Sequence, residues 1–171
     1  MPRVYASFVG GKGAVGLLVL RLVMGAAFVL HGWPKIQNAF AWMGPQASVP
    51  GFLQGLAALA EFGGGLALIA GLLTPLASFG IACTMMVAVG LVHVPRGDPF
   101  VGKSGGPSFE LAAAYLAAAV MFLLMGPGEF SLDALLFGRW LRREDRSAAL
   151  PAKAESRGSH QVWAEERRIS S

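Results

Sequence analysis

The chain has 171 residues, of which 54% are hydrophobic and only 14% are charged, with a formal net charge of +4 and a single cysteine. A soluble domain of this length needs far more charge to cover its surface, so the composition excludes an ordinary soluble domain. The charges lie mainly near the two ends, and no foldable segment carries a basic patch with interleaved aromatics, which excludes a nucleic-acid-binding face. The lone Cys83 excludes an intrachain disulfide and every Cys-x-x-Cys redox or zinc motif.

Four apolar stretches are long enough to cross a bilayer, which requires about 20 predominantly apolar residues per helix. They cover approximately residues 13–32, 51–73, 75–94 and 108–125. The connection between the second and third stretches is very short, so these two helices are predicted to form an antiparallel hairpin. The sequence therefore predicts an all-α fold, an integral membrane bundle of four helices.

The chain after the fourth stretch changes character. A Gly-Pro-Gly break at residues 126–128 is followed by Ser131, which is a favourable N-cap residue. Residues 132–141 mix apolar and polar positions at helical spacing, which predicts a short interfacial helix on the membrane surface. We therefore predict a transmembrane domain over residues 1–143 and a polar, disordered cytoplasmic tail over residues 144–171.

The distribution of lysine and arginine near the predicted helix ends indicates the orientation of the chain. Six of these cations lie on the side that holds both termini, and three lie on the opposite side. The six are Arg3, Lys12, Arg139, Arg142, Arg143 and Arg146. The three are Lys35, Arg96 and Lys103. This bias predicts that both termini are cytoplasmic, which agrees with an even number of spans. A cleaved signal peptide is disfavoured, because a charged residue interrupts the first apolar stretch and no small-x-small cleavage site follows it.

Several ionisable residues fall inside the predicted spans, where an ionised side chain costs roughly 2.5–3.5 kcal/mol even on the lenient insertion scale. Arg21 lies ten positions before His31 and therefore about 15 Å deeper. Glu61 lies ten positions into the second stretch, at a similar depth, so we predict an Arg21–Glu61 ion pair near the midplane. His31, His93 and Glu110 are predicted to form a second, shallower cluster towards the outer face.

Small residues surround both carboxylates at helical spacing and predict that each carboxylate points at a neighbouring helix. Glu61 shares its face with Ala57, Ala58, Gly64 and Gly65, and Glu110 shares its face with Ala113, Ala114 and Ala117. Simpler readings stay open for these groups. The Arg21–Glu61 pair is equally well explained as a structural ion pair, and the histidines as interfacial side chains bonded to loop carbonyls. A metal site is disfavoured, because no His-x-x-x-His or Glu-x-x-His spacing places two ligands on one helix.

The order of several short motifs resembles the DoxX family over about residues 15–139. The motifs are Leu20-Arg21-Leu22 with Gly25, His31-Gly32-Trp33-Pro34-Lys35, Glu61-Phe62-Gly63-Gly64-Gly65-Leu66 with Gly71-Leu72-Leu73-Thr74, His93-Val94-Pro95-Arg96-Gly97, Phe109-Glu110-Leu111, and Gly126-Pro127-Gly128 with Ser131-Leu132-Asp133.

The resemblance implies a small bacterial or archaeal membrane protein with four helices. DoxX-like proteins are associated with terminal oxidase, thiosulfate:quinone oxidoreductase and thiol homeostasis systems, which implies a multi-pass protein of the bacterial cytoplasmic (inner) membrane. The recurrent polar positions of the family carry over to Arg21, His31, Lys35, Glu61, His93 and Glu110.

The leading hypothesis is a membrane component of a redox system that binds a quinone or a similar small apolar substrate at an inward-facing Arg/Glu/His cluster. If the protein is catalytic, it is expected to be a subunit of a quinone-linked membrane oxidoreductase. The expected catalytic residues are Arg21, His31, Glu61, His93 and Glu110, with Lys35 binding the quinone and with no metal and no covalently bound cofactor. Quinone chemistry needs protons, which buried carboxylates and histidines can supply.

Two alternatives from other classes remain. The first is a non-catalytic membrane subunit or assembly scaffold for a partner enzyme, with the surface helix as its docking element. The second is a pathway for a small solute or a proton, which would need an oligomer because four helices make a thin wall for a pore. The expected partners are the lipid bilayer, a quinone, and a partner redox enzyme or further copies of the chain, and no nucleic acid.

Overall fold

The computed structural model describes residues 8–103 and 105–138 of the chain. These residues form four main helices and no strand: α1 (Gly11–Ile36), α2 (Gly51–Ala70), α3 (Thr74–Arg96) and α4 (Glu110–Met125). Residues 132–138 are also helical. The predicted all-α class is confirmed. Of the described residues, those from 8 to 135 belong to one compact unit.

The lengths and compositions of the helices fit a membrane bundle. α1, α2 and α3 are each long and apolar enough to cross a bilayer, and α4 is a shorter apolar helix of 16 residues. Large apolar side chains on their outer faces are highly exposed, among them Leu30 at 75% and Leu124 at 80%. Such exposure is unfavourable in water but provides a lipid-facing surface in a membrane.

The helices run antiparallel in chain order, which gives the bundle two ends. The proximal end is the one at which α1 and α3 begin and α2 and α4 end. The distal end is the one at which α1 and α3 end and α2 and α4 begin.

Glycines set the register between α1 and α2. A Cβ atom at Gly25 would lie 2.8 Å from the carbonyl oxygen of Gly65, and one at Gly32 would collide with the backbone of Phe62. Only glycine therefore permits this backbone-to-backbone approach, as in other membrane helix pairs. Residue 25 lies opposite residues 65–69, and residue 32 lies opposite residue 62.

All four helices contribute buried side chains to the apolar core. Its members are Leu17, Met24 and Phe28 from α1, Leu68 from α2, Ile81, Ala82 and Met85 from α3, and Ala119 and Phe122 from α4. On α1 and α4 successive members are three, four or seven residues apart, the spacing that keeps one stripe of a helix facing inward.

The distal part of α3 is irregular. Residues Ala88–His93 form a π-helical segment, and none of them is buried. A π-helical turn holds more residues than an α-helical turn, and such segments often occur at functional sites. α3 therefore leaves the core after Met85, and its distal turns pack less closely than its proximal ones.

The segment after α4 binds the proximal ends of two other helices, and we call residues 126–133 the proximal clamp. The amide of Gly11, at the start of α1, donates to the Glu129 carboxylate at 3.1 Å. The amides of Leu73 and Thr74, at the start of α3, donate to the two Asp133 carboxylate oxygens at 2.8 and 2.9 Å. These carboxylates satisfy amides that a helix N-terminus leaves without intrahelical partners.

The predicted N-cap at Ser131 is confirmed, because its hydroxyl accepts the amide of Ala134 at 3.1 Å. The predicted interfacial helix is helical from residue 132 onward, and Asp133 in its first turn is completely buried. Residues 139–141 of that helix and the predicted tail over residues 144–171 lie outside the described residues.

Candidate functional site

The inward-facing stripe of α1 changes from apolar to polar along the helix. Ala14, Leu17, Arg21, Met24 and Phe28 are all buried at successive intervals of three or four residues. The next two members of the same stripe are His31, which is exposed, and Lys35, which is half-buried. The stripe is therefore apolar around Met24 and Phe28 and becomes polar towards the distal end of the bundle.

A buried ion pair lies at this distal end. The Nζ atom of Lys35 is 2.6 Å from both carboxylate oxygens of Glu61, whose side chain is only 6% exposed. Glu61 occupies the inward-facing stripe of α2 with Ala58 and Leu68. A carboxylate in this position needs a cation, since an unpaired buried charge is strongly unfavourable. The prediction that Glu61 points at a neighbouring helix is confirmed.

Lys35 belongs to α1 and not to the following loop, contrary to the sequence prediction. The predicted helix ended at residue 32, whereas α1 continues through Pro34 to Ile36. Proline removes one backbone hydrogen bond, which the last turn of a helix tolerates better than its middle. The extension brings Lys35 one turn beyond His31 on the same helix face.

The predicted Arg21–Glu61 pair is wrong, and the register of α1 on α2 gives the reason. Because Gly32 lies opposite Phe62, residue 21 lies opposite residue 73. Residue 73 is 12 positions from Glu61, which corresponds to about 18 Å along a helix. Counting residues from approximate helix ends placed both groups near the midplane, but they belong to opposite ends of the bundle.

Arg21 instead belongs to the proximal clamp. Its side chain is fully buried, its Nη2 atom donates to the carbonyl oxygen of Phe130 at 2.6 Å, and its charge attracts the Asp133 carboxylate. The guanidinium packs directly on Gly71, which has a φ of +65° and whose Cα leaves no room for a Cβ atom. Arg21 therefore fastens α1 to the ends of α2 and α4.

The predicted cluster of His31, His93 and Glu110 is also wrong. In the described part of the chain, no hydrogen bond or ion pair joins any two of the three. His31 meets the ring of Tyr115 edge-on, with ring centroids 6.4 Å apart. The Nδ1 atom of His93 is 2.8 Å from the Asp98 carboxylate.

Two features of the helices explain the separation of these three residues. Glu110 is exposed in the first turn of α4, so its predicted inward orientation is wrong. Gly64 packs against Ile81, which places His93 about 14 Å further along α3 than the level of Glu61. His93 also lies in the π-helical segment that has left the core.

A loop covers the Lys35–Glu61 pair, and we call residues 37–50 the distal cap. Gln54 is 4% exposed and holds the cap by accepting the amide of Met43 at 3.0 Å and donating to the carbonyl of Val49 at 2.9 Å. The indole of Trp42 donates to the backbone carbonyl of Gln54 at 3.0 Å. Its ring lies 4.6 Å from Lys35 Nζ, a cation–π contact.

The sequence analysis missed three residues that organise the two ends, namely Gln54, Tyr115 and Asp133. Gln54 precedes Ala58 and Glu61 by helical spacing, which is a readable sign of an inward polar residue. Tyr115 interrupts the alanine-rich sequence of α4 with an aromatic ring that carries a hydroxyl group. Asp133 follows an N-cap serine by two residues, which indicates only a favourable first-turn acid and gives no sign of its contact with α3.

These features define the class of the protein as a multi-helix membrane protein whose core carries a buried ion pair at one end. The DoxX family model matches residues 16–94, which include α2, most of α1 and α3, and the ion pair. The inner membrane protein YqjF of Escherichia coli K12 is 32% identical over 131 residues, which cover 74% of this chain and 95% of YqjF. The chain belongs to the DoxX family, so the sequence resemblance is confirmed.

A second relative, described as an uncharacterized protein of Haemophilus influenzae, is 31% identical over 123 residues, which cover 71% of this chain and 90% of that protein. No solved structure matches the chain.

Proposed function

We propose that the protein is a membrane component of a redox system and that it binds a quinone, or a similar small apolar substrate, at the distal end of the bundle. The single observation that carries the proposal is the Lys35–Glu61 ion pair at the distal end of the bundle, next to the apolar core. Lys35 and Glu61 pair there, and exposed His31 lies one turn before Lys35 on the face of α1 that carries fully buried Phe28.

The chemistry of these side chains suits a quinone head group. A quinone presents two carbonyl oxygens on a flat apolar ring, so it requires hydrogen-bond donors at its edge and apolar contacts on its faces. The Lys35 ammonium and the His31 imidazole can donate, and the rings of Phe28 and Tyr115 can contact the faces. Reduction of a quinone also takes up protons, and His31 and Glu61 are the groups at this site that can transfer them.

The proposal uses fewer residues than the sequence analysis expected. His31, Lys35 and Glu61 remain as the substrate-binding and proton-transferring residues. Arg21 is reassigned to holding the proximal clamp, at the opposite end of the bundle. His93 and Glu110 lie outside the site, because neither contacts the Lys35–Glu61 pair.

The electrons in this proposal come from a partner redox enzyme in the same membrane. The relative YqjF is described as an inner membrane protein, which supports the bacterial cytoplasmic membrane as the location. With four helices crossing and the cation bias of the sequence, we place both termini in the cytoplasm and the distal end towards the outer side.

Quinone binding by the purified protein in lipid nanodiscs tests the proposal. Native protein should bind a quinone measurably, and both His31→Ala and Glu61→Gln should weaken the affinity by about tenfold, the effect of losing one good polar contact. Leu30→Ala is the matched control, because this residue neighbours His31 but faces outward. Unchanged affinity in both site variants would refute the proposal.

A second candidate function, a scaffold for a partner enzyme, is supported by a different observation. Leu132 and Leu135, in the helical segment after the proximal clamp, are 41% and 63% exposed. They form an apolar face on a segment that is followed by polar sequence, as in a helix that docks on a partner protein. A Leu132→Ser/Leu135→Ser variant should lose a co-purifying enzyme if the scaffold role is correct, whereas it should leave quinone affinity unchanged if the first proposal is correct.

A further inference from the structure

The contacts of α1 with its two neighbours differ in kind. Towards α2, Gly25 and Gly32 bring the two backbones into direct contact. Towards α4, rings fill the space: Tyr115 lies with its centroid 5.0 Å from that of Phe28 and 6.4 Å from that of His31. A seam filled by side chains opens by rotation of a ring, whereas a backbone contact opens only if a whole helix moves. The α1–α4 seam is therefore the more easily opened wall of the site.

The route from the aqueous side is closed by the distal cap. Gln54 fastens the cap by two side-chain hydrogen bonds, and Trp42 covers Lys35 directly. A buried side chain bonded to two separate backbone positions holds a loop more firmly than surface contacts do. A ligand that approaches Lys35 from above meets this cap first.

We propose that the substrate reaches the distal site sideways from the bilayer, through the α1–α4 seam, and that Tyr115 is the residue that controls this passage. The proposal rests on the proposed function for its substrate and extends it to a substrate class, an amphiphile with an apolar tail. The polar head lies at His31, Lys35 and Glu61, while the tail extends through the seam into lipid.

The depth of the seam fits this class of substrate. Tyr115 lies five residues into α4, about 8 Å from its distal end. His31 is five residues from the end of α1. A head group bound between them lies just below the membrane surface, and its tail can remain among the lipid chains.

The first test measures the environment of His31 and needs no substrate. A nitroxide label at His31→Cys, in a Cys83→Ala background, is exposed to oxygen, which concentrates in lipid, and to a nickel chelate, which stays in water. The ratio of the oxygen collision rate to the nickel-chelate collision rate at residue 31 should match the ratio for a label at Leu30→Cys, which faces lipid at the same depth. A ratio matching that at Asn38→Cys in the exposed distal cap would overturn the lateral route.

The second test compares two quinones with the same head group, one with a decyl tail and one without a tail. Tyr115→Ala should raise the association rate of the tailed quinone by about tenfold relative to that of the tail-less quinone, since the ring no longer obstructs the seam. Tyr115→Phe keeps the ring and should keep the native rate. Leu111→Ala, on the exposed face of α4, is the matched control.

The cap provides the opposite comparison. Gln54→Ala should speed association of the tail-less quinone only. A faster association of the tailed quinone in Gln54→Ala, with no effect of Tyr115→Ala, would show passage through the cap and overturn the proposal. If native protein binds neither quinone while the label at residue 31 reports lipid, the proposed function fails and the lateral opening stands.

Discussion

Buried charges are stabilised in different ways at the two ends of the bundle. At the proximal end, Arg21 and Asp133 are each at most 1% exposed, and they bind backbone groups of several segments. At the distal end, Lys35 and Glu61 bind each other under a loop, and the side chain of Lys35 keeps 25% exposure. The proximal charges fasten chain segments together, whereas the distal charges remain within reach of a ligand.

The difference shows that a buried charge in a membrane helix is not by itself a sign of chemistry. Arg21 is the most completely buried charged residue of α1, yet its contacts are those of a structural tie. The Lys35–Glu61 pair is less buried and is the better candidate for function, because the Lys35 side chain remains partly exposed. Four predictions test this contrast, from the largest expected effect to the smallest.

Removal of the Asp133 carboxylate should strongly destabilise the proximal end of the bundle. Asp133→Ala leaves two α3 amides and the Arg21 guanidinium uncompensated in a buried position, so the free energy of unfolding should fall by about 3–5 kcal/mol. Thermal unfolding in detergent, followed by circular dichroism, measures the loss. Glu129→Ala removes the exposed carboxylate of the same clamp and should have a much smaller effect. Equal effects of the two substitutions would contradict the structural role of Asp133.

Removal of the Lys35 ammonium should destabilise the distal end more than removal of the Glu61 charge. Lys35→Met leaves the Glu61 carboxylate buried without its cation, at a cost of up to about 3 kcal/mol. Glu61→Gln leaves Lys35 able to turn towards water and should cost less. The double variant should recover part of the loss, which a double-mutant cycle of unfolding free energies measures. Additive effects would show that the two residues do not interact.

A comparison of alanine substitutions at Gly71 and Gly11 tests how closely side chains pack against Gly71. Gly71 and Gly11 both have left-handed backbone, with φ of +65° and +60°, but only Gly71 has a guanidinium against its Cα. Gly11→Ala should cost about 1–2 kcal/mol, the usual penalty of this conformation, and Gly71→Ala should cost more because Arg21 and Ser131 must also move. Equal shifts in unfolding temperature would mean that Arg21 does not pack there.

Loosening of the distal cap should have the smallest effect on stability. Gln54→Ala removes two partly solvated hydrogen bonds of a loop and should lower the free energy of unfolding by about 0.5–1.5 kcal/mol. Local opening should be greater than global destabilisation, because the cap is a loop with few core contacts. Hydrogen exchange should accelerate at Met43 while the amides of α2 keep their protection. Uniform acceleration along α2 would indicate that Gln54 supports the whole helix.

The helices and their inward faces were predictable from the sequence, because both depend on local spacing. A stretch of about 20 apolar residues predicts a span whatever its neighbours are. The small residues around Glu61 correctly indicated an inward carboxylate. The same argument failed at Glu110, since a residue in the first turn of a helix can face outward even when the turns below it pack.

The pairing of charges was not predictable, because it depends on register. The sequence indicated that Arg21, Lys35 and Glu61 all lie in or near spans, but an error of a few residues in each helix end moved the expected partner of Glu61 by about 18 Å. The true register is set by the contacts of Gly25 and Gly32 with the α2 backbone, and those contacts are tertiary. Asp133 likewise lies 60 residues from the α3 amides it binds, so no local pattern could reveal its role.

The sequence by itself determined that the protein is a helical membrane bundle of the DoxX family with ionisable groups inside it, because hydrophobic length, helical period and motif order are properties of the chain alone. Only the tertiary structure decided which charges meet, which end of the bundle carries the partly exposed ion pair and which loop covers that pair. These depend on how closely two backbones approach, and that distance is fixed by pairs of residues far apart in the chain.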